Sequence, residues 1–287
     1  MATLVKLLSE RVPLGEITFA RSFFALIPVV IWASATGELR TVFHTKKPWA
    51  HVTRSVVGLC GMFLGFAALS RLPLADATAI GFTAPLITVV LAAVILREHV
   101  RIYRWSAVVI GFIGVLIIVT GYAEEGGGAG RNLVGALFQL GAAGVVALVV
   151  IQIRRMSVTE SAVTIVIYFS LISALVSLAT IPFGWVTPSL TDAALLVATG
   201  ILGGLGQVTL TESVRHADAS LLAPFDYVAL LWALVLGFFV FAAAPTQTML
   251  IGAAIVIATG LFVIFRERQL RIASRTASEL PPVIPGS

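Results

Sequence analysis

Apolar residues run along the chain in long, nearly unbroken stretches, set apart by short clusters of charge, glycine and proline. The pattern predicts spans at 17–37, 52–70, 75–96, 104–121, 132–153, 161–184, 192–213, 218–242 and 248–265. Each is close to the roughly 20 residues that an α-helix needs to cross the hydrocarbon of a bilayer. The runs are continuous, whereas the strands of a membrane barrel alternate and end after about 10 residues. Residues 1–10 read as the end of a further helix, too short for the apolar core of a cleavable leader and interrupted by Lys6. The expectation is an all-α integral membrane protein of ten helices, the first largely absent.

Composition agrees with the pattern. The 287 residues are 59% hydrophobic and 11% charged, against roughly 25% charged in soluble domains, and the mean hydropathy is +1.03. The lipid bilayer is the solvent such a chain requires. A net charge of +5 does not indicate nucleic acid, because the basic residues are dispersed and form no interleaved basic and aromatic surface. They fall instead on alternate connections: Arg40, Lys46, Lys47, Arg54, Arg101, Arg154 and the tail arginines on one side, far fewer on the other. The positive side is the cytoplasmic one, which predicts a multi-pass inner-membrane protein with a cytoplasmic C-terminus. Cys60 is the only cysteine, so no internal disulfide is possible and no thiol cluster exists for a metal. No metal and no cofactor is expected.

Two halves are suggested by a repeat. At an offset of 142 positions Gly58 pairs with Gly200, Gly61 with Gly203, and Ala75-Asp76-Ala77-Thr78 with Ala217-Asp218-Ala219-Ser220. Five helices per half would turn the second copy upside down, so the architecture expected is a ten-helix inverted repeat, a recurring design of secondary transporters with the solute site near the midplane. The division is 1–121 for the first repeat, 122–131 for a glycine-rich outer linker, 132–268 for the second repeat and 269–287 for a disordered cytoplasmic tail. Asp76 and Asp218 sit at helix starts, where a carboxylate meets free N–H groups and the positive end of the dipole.

The candidate site residues are those that cost most in lipid. Pro85 and Pro224 lie in corresponding runs, and matched interruptions free carbonyls toward a cavity. Asp226, about 12 Å beyond Asp218 at the helical rise, falls near the centre of a core about 30 Å thick. There it must face protein or water, or be protonated, so it is a candidate to hold a cationic group or a proton. Arg21, roughly 6 Å inside its span, reads equally as the partner of an anionic group and as a cation snorkelling to the surface. Gln207 shares a small polar face with Gly200, Gly203, Gly204 and Thr211, suited to helix packing with an interhelical hydrogen bond or to solute contact. Tyr168, Tyr227 and Trp232 are placed as pocket walls. No GxSxG, HExxH, phosphate loop or GxGxxG is present, and His44, His51, His99 and His216 fall in or beside connections. No catalytic residue is expected. A membrane-embedded enzyme or regulator is the competing class.

The stretch LPLADATAIGFTAPLITVVLAAVILREHVRIYRWSAVVIGFIGVLIIV at 72–119 resembles the second part of an EamA domain of the drug/metabolite transporter superfamily. ADASLLAPFDYVALLWALVLGFFVF at 217–241 and LIGAAIVIATGLFVI at 250–264 are similar to the matching part of a second such domain, and RVPLGEITFARSFFAL at 11–26 to the segment after the first helix. The resemblance implies two inverted five-helix bundles, a small organic solute as partner and a central pathway worked by alternating access. It supplies no catalytic residue. One departure is FAAAPTQ at 241–247, where Ala244 stands in the place of the acid that Glu98 supplies in the first half.

Overall fold

Proline placement explains where the long apolar helices of this chain break. In the computed structural model, which describes residues 1–95, 100–124, 129–216 and 219–279, the first complete span consists of α2 (Leu14–Phe24) and α3 (Leu26–Ala35). Side chains are described for these residues except at 92, 95, 122–124, 129, 131, 214–215, 219–227, 267–268 and 270–279. The break at Ala25 lies three residues before Pro28, whose ring removes the hydrogen bond to Phe24 and crowds that carbonyl. The same cause separates α5 (Leu74–Gly81) from α6 (Ala84–Ile95): Pro85 is the second residue of α6, and Phe82 and Thr83 turn instead of continuing the helix.

The remaining helices are α1 (Ala2–Leu8), α4 (Pro48–Leu69), α7 (Ile102–Glu124), α8 (Ala129–Met156), α9 (Ala162–Leu178), α10 (Leu190–His216), α11 (Ala219–Phe241) and α12 (Gln247–Glu279). Among the described residues there is no strand. Among the described residues seven segments are long and apolar enough to cross a membrane, and the shorter apolar helices Ala162–Leu178 and Val228–Phe241 bring the total to the nine predicted runs. Outward faces carry Ile31, Val56, Leu175 and Phe239, an apolar surface that only lipid would cover without penalty.

Packing sets α2, α4, α9 and α10 against one another, with α8 on α4, α5 on α11 and α7 on α12. The α7–α12 contact is a glycine crossing. A Cβ on Gly114 would lie 2.8 Å from the Gly252 carbonyl, and one on Gly252 would lie 2.5 Å from Ile118 Cγ1, so neither position has room for a side chain. At the end of α4, the Lys6 ammonium donates to the carbonyls of Leu69 (3.0 Å) and Leu72 (2.5 Å), satisfying oxygens the helix leaves open.

Three expectations change. Helix α11 passes Pro224 without a break, so the matched interruption holds for Pro85 alone. Pro224 is the sixth residue of its helix, past the first-turn positions whose donors have no partner, so the helix runs through it at the expense of one backbone hydrogen bond. The tail expected to be disordered from residue 269 is helical to Glu279: RERQLRIASRTASE holds good helix formers, and proline appears only at 281. The linker expected over 122–131 is helical at 122–124 and 129–131, and the rest of it lies outside the described residues, as does Asp218.

Candidate functional site

Two arginines meet on one aromatic ring in the interior of the bundle. Arg21 is the eighth residue of α2 and Arg54 the seventh of α4, so each lies about 10 Å along its helix from the first turn. Both point at Phe169, near the middle of α9: the guanidinium carbon of Arg54 is 4.2 Å from the ring centroid and that of Arg21 is 5.6 Å. Arg21 is 6% exposed and Arg54 2%. Arg21 Nη2 donates to Gln207 Oε1 of α10 at 3.3 Å. Among the described residues the Nε and Nη1 atoms of both arginines have no hydrogen-bond partner, and the same is true of the buried hydroxyls of Ser22, Ser55, Ser170 and Ser173 on the same three helices.

Glycines make this arrangement possible. A Cβ on Gly58, one turn beyond Arg54, would overlap Arg54 Nη1 and stand 2.9 Å from the Phe169 ring. A Cβ on Gly203 would stand 3.0 Å from Arg21 Nε. On the same helix, Gly200 and Gly204 let α10 close on the α2–α3 break, where Cβ atoms would come 2.9 Å from the Ala20 carbonyl and 2.6 Å from the Ala25 carbonyl.

The energetics are one-sided. Burying a guanidinium costs several kcal/mol even after relaxation. A cation–π contact returns roughly 0.5–2 kcal/mol, and a hydrogen bond to a charged group about 1.5–3 kcal/mol. Two such cations sharing one ring also repel each other. The described acids of the neighbouring segments are engaged elsewhere. Glu16 accepts from the Val186 N–H at 3.1 Å, and Asp192 pairs with Arg11 at 3.3 Å and accepts from Ser189 at 2.7 Å. Glu160, between α8 and α9, accepts from Thr45 Oγ1 at 3.0 Å and from the Lys46 N–H at 3.2 Å, and lies 3.7 Å from His51 Nε2.

This last cluster occupies the end of the bundle where the 36–47 connection folds over. Tyr168 stacks on His51 at 4.4 Å and donates to the Phe43 carbonyl at 3.0 Å. The opposite end is tied by Arg11–Asp192, by Glu16 and by Trp185 Nε1 donating to Thr180 Oγ1 at 2.9 Å.

Of the residues singled out from sequence, Arg21 and Gln207 are brought into contact. Arg21 does not snorkel: α2 begins three residues earlier than the apolar run suggested, and the side chain turns inward onto Phe169. Tyr168 belongs to the His51 cluster, and Pro85 opens α6 at its break. Trp232 is 57% exposed, on an outward face of α11. Asp226, Tyr227 and Pro224 lie in α11, but their side chains are outside the described residues. Arg54 and His51, read from sequence as belonging to a cytoplasmic connection, are buried inside α4, which starts at Pro48 rather than at 52. The signal for Arg54 was the glycine one turn further along the same face.

Comparison with known proteins decides the class. The EamA-like transporter family profile matches residues 1–120. The S-adenosylmethionine uptake transporter of Rickettsia bellii is 30% identical over 267 residues, covering 92% of this chain and 88% of that protein. The chain belongs to the EamA-like transporter family. The pseudopaline exporter of Pseudomonas aeruginosa is 28% identical over 90% of this chain and 88% of its own length. A solved crystal structure with 23% identity superposes with a TM-score of 0.65, covering 94% of this chain and 96% of that one, and shares the fold. This EamA-like protein is a multi-pass membrane protein and a secondary transporter of small metabolites.

Proposed function

We propose that the protein carries a small amphoteric metabolite of the S-adenosylmethionine type across the plasma membrane by alternating access, with the C-terminus cytoplasmic. The observation that carries this is the Arg21–Gln207 hydrogen bond, a polar contact between residues 186 positions apart, placed by two helices well inside the bundle. Rocking of the halves makes and breaks contacts of this kind, and solute binding is what biases such a movement.

The glycine environments support two oppositely oriented halves. Gly58 of α4 faces Phe169 of α9, and its repeat mate Gly200 of α10 faces Phe24 of α2. Gly61 of α4 faces Val145 of α8, and its mate Gly203 faces both Arg21 of α2 and Met1 beside α1. The first pair meets corresponding helices of the opposite halves, and the second does so through its Met1 contact, as expected of a two-fold axis between the halves. Asp226 remains the proposed carrier of a cationic group or a coupling proton.

The test is uptake of labelled S-adenosylmethionine and of a panel of amino-acid-like metabolites by proteoliposomes. Saturable accumulation of at least one, lost in empty vesicles, is expected. Purified protein that chemically converts these solutes without moving them would overturn the reading.

A further inference from the structure

We infer that Arg21 and Arg54, stacked on Phe169, form an anion subsite that receives the carboxylate of the transported solute. The inference rests on the transport reading above and assigns the part of the solute that the bundle interior recognises. The two guanidinium groups approach one ring from α2 and α4. Each keeps Nε and Nη1 without a hydrogen-bond partner among the described residues although both side chains are more than nine-tenths buried. A permanently charged guanidinium cannot relieve this by losing its proton. The missing element is therefore negative charge with lone pairs, and a carboxylate between the two forks supplies charge-assisted bonds to both.

The remainder of the site fits that role. Gln207 fixes Arg21 through Nη2 and leaves its other nitrogens to the ligand. The hydroxyls of Ser22, Ser55 and Ser170, one position along their helices from the arginines and Phe169, are also buried without partners among the described residues, which adds to the polar groups this interior leaves open. Gly58 and Gly203 keep the space beside each guanidinium clear of side chain. Glu160, the acid that meets His51 of the same helix as Arg54, is occupied by Thr45, Lys46 and His51.

The experiment compares matched probes that differ only in the carboxylate: S-adenosylmethionine and its decarboxylated form, arginine and agmatine, tryptophan and tryptamine. Binding to the purified protein in detergent and flux in proteoliposomes are both measured. For at least one pair the carboxylated member should bind tenfold or more tightly. In Arg54→Gln and Arg21→Gln that preference should fall to within about twofold, whereas a variant that merely loosened the fold would weaken both members alike and leave the ratio standing. Arg54→Lys should restore part of it. The inference is overturned if no pair shows a preference in the wild type, if the preference survives both Gln variants, or if inorganic phosphate displaces the probes at lower concentration than acetate does. Flux of uncarboxylated solutes alone would overturn the subsite and leave the transport reading intact; flux of no solute would remove both.

Discussion

Gly58 shows how much one missing side chain can decide. Alanine is the better helix former by up to about 1 kcal/mol, yet a methyl there would overlap Arg54 Nη1 and press on Phe169. The guanidinium is the far end of a flexible side chain and can swing away, so Gly58→Ala should change thermal stability by no more than about 1 kcal/mol in either direction. The same displacement should raise the KM for solute by about tenfold, which is about 1.4 kcal/mol of lost binding. Uptake kinetics alongside thermal unfolding of the purified variant would separate the two effects. Glu160 makes the opposite case. It holds the 36–47 connection against the α8–α9 turn through Thr45, Lys46 and His51, so Glu160→Ala strips several buried partners at once. A loss of about 3 kcal/mol is expected, readable as a lower unfolding midpoint. Gly58 was visible in the sequence only as a repeat position and Glu160 not at all; their partners Arg54 and His51 lie within seven residues of a helix start, and hydropathy assigns charge near a boundary to water. Phe169 and the space left at Gly58 hold Arg54 inside, and Tyr168 and Glu160 hold His51.

Helix α10 carries the packing that holds this site together, and two of its glycines differ sharply. A Cβ on Gly200 would overlap Phe24 and stand 2.9 Å from the Ala20 carbonyl, so it meets backbone and the root of a side chain, neither of which can yield without moving α2. A Cβ on Gly206 meets nothing within 4 Å. Gly200→Ala should therefore destabilise by about 1–3 kcal/mol through overpacking and impair transport by shifting Arg21 from Gln207. Gly206→Ala, exposed on the same helix, should be neutral or stabilising by up to about 1 kcal/mol. Thermal unfolding and uptake of the two variants in parallel would check the contrast. At this scale the sequence was informative: run length located the nine spans, because twenty apolar residues have few uses besides crossing lipid. It was less so where a helix break depends on geometry. Pro85 and Pro224 look alike as letters, but Pro85 stands second in a helix that resumes after a break at Phe82 and Thr83, while Pro224 stands sixth in a helix that runs through it unbroken. The break before Pro28 was legible in principle and is what admits Gly204 to the Ala25 carbonyl.

For the whole molecule, the two-fold relation makes a claim about sidedness that the packing of the helices makes concrete. Under the repeat α10 is the counterpart of α4, so the two should cross the membrane in opposite directions. Helix α10 spans 27 residues from Leu190 to His216, about 40 Å at the helical rise, which is enough to carry its ends to opposite surfaces. The Lys47 end of α4 lies with the 36–47 connection and Glu160, while the start of α10 lies with Arg11 and Glu16. The excess of lysine and arginine on the former side argues that it faces the cytoplasm. Cys60 is a free thiol on the outward face of α4, so single cysteines belong in a Cys60→Ser background, where any labelling reports the introduced position alone. A membrane-impermeant thiol reagent added to intact cells should then modify Leu190→Cys and spare Lys47→Cys and His216→Cys, and permeabilising the cells should expose all three. Modification of Lys47→Cys and Leu190→Cys from the same side would mean that the repeat-related helices enter from one face. The halves would then be parallel, and any two-fold axis relating them would run along the membrane normal instead of lying in the membrane plane.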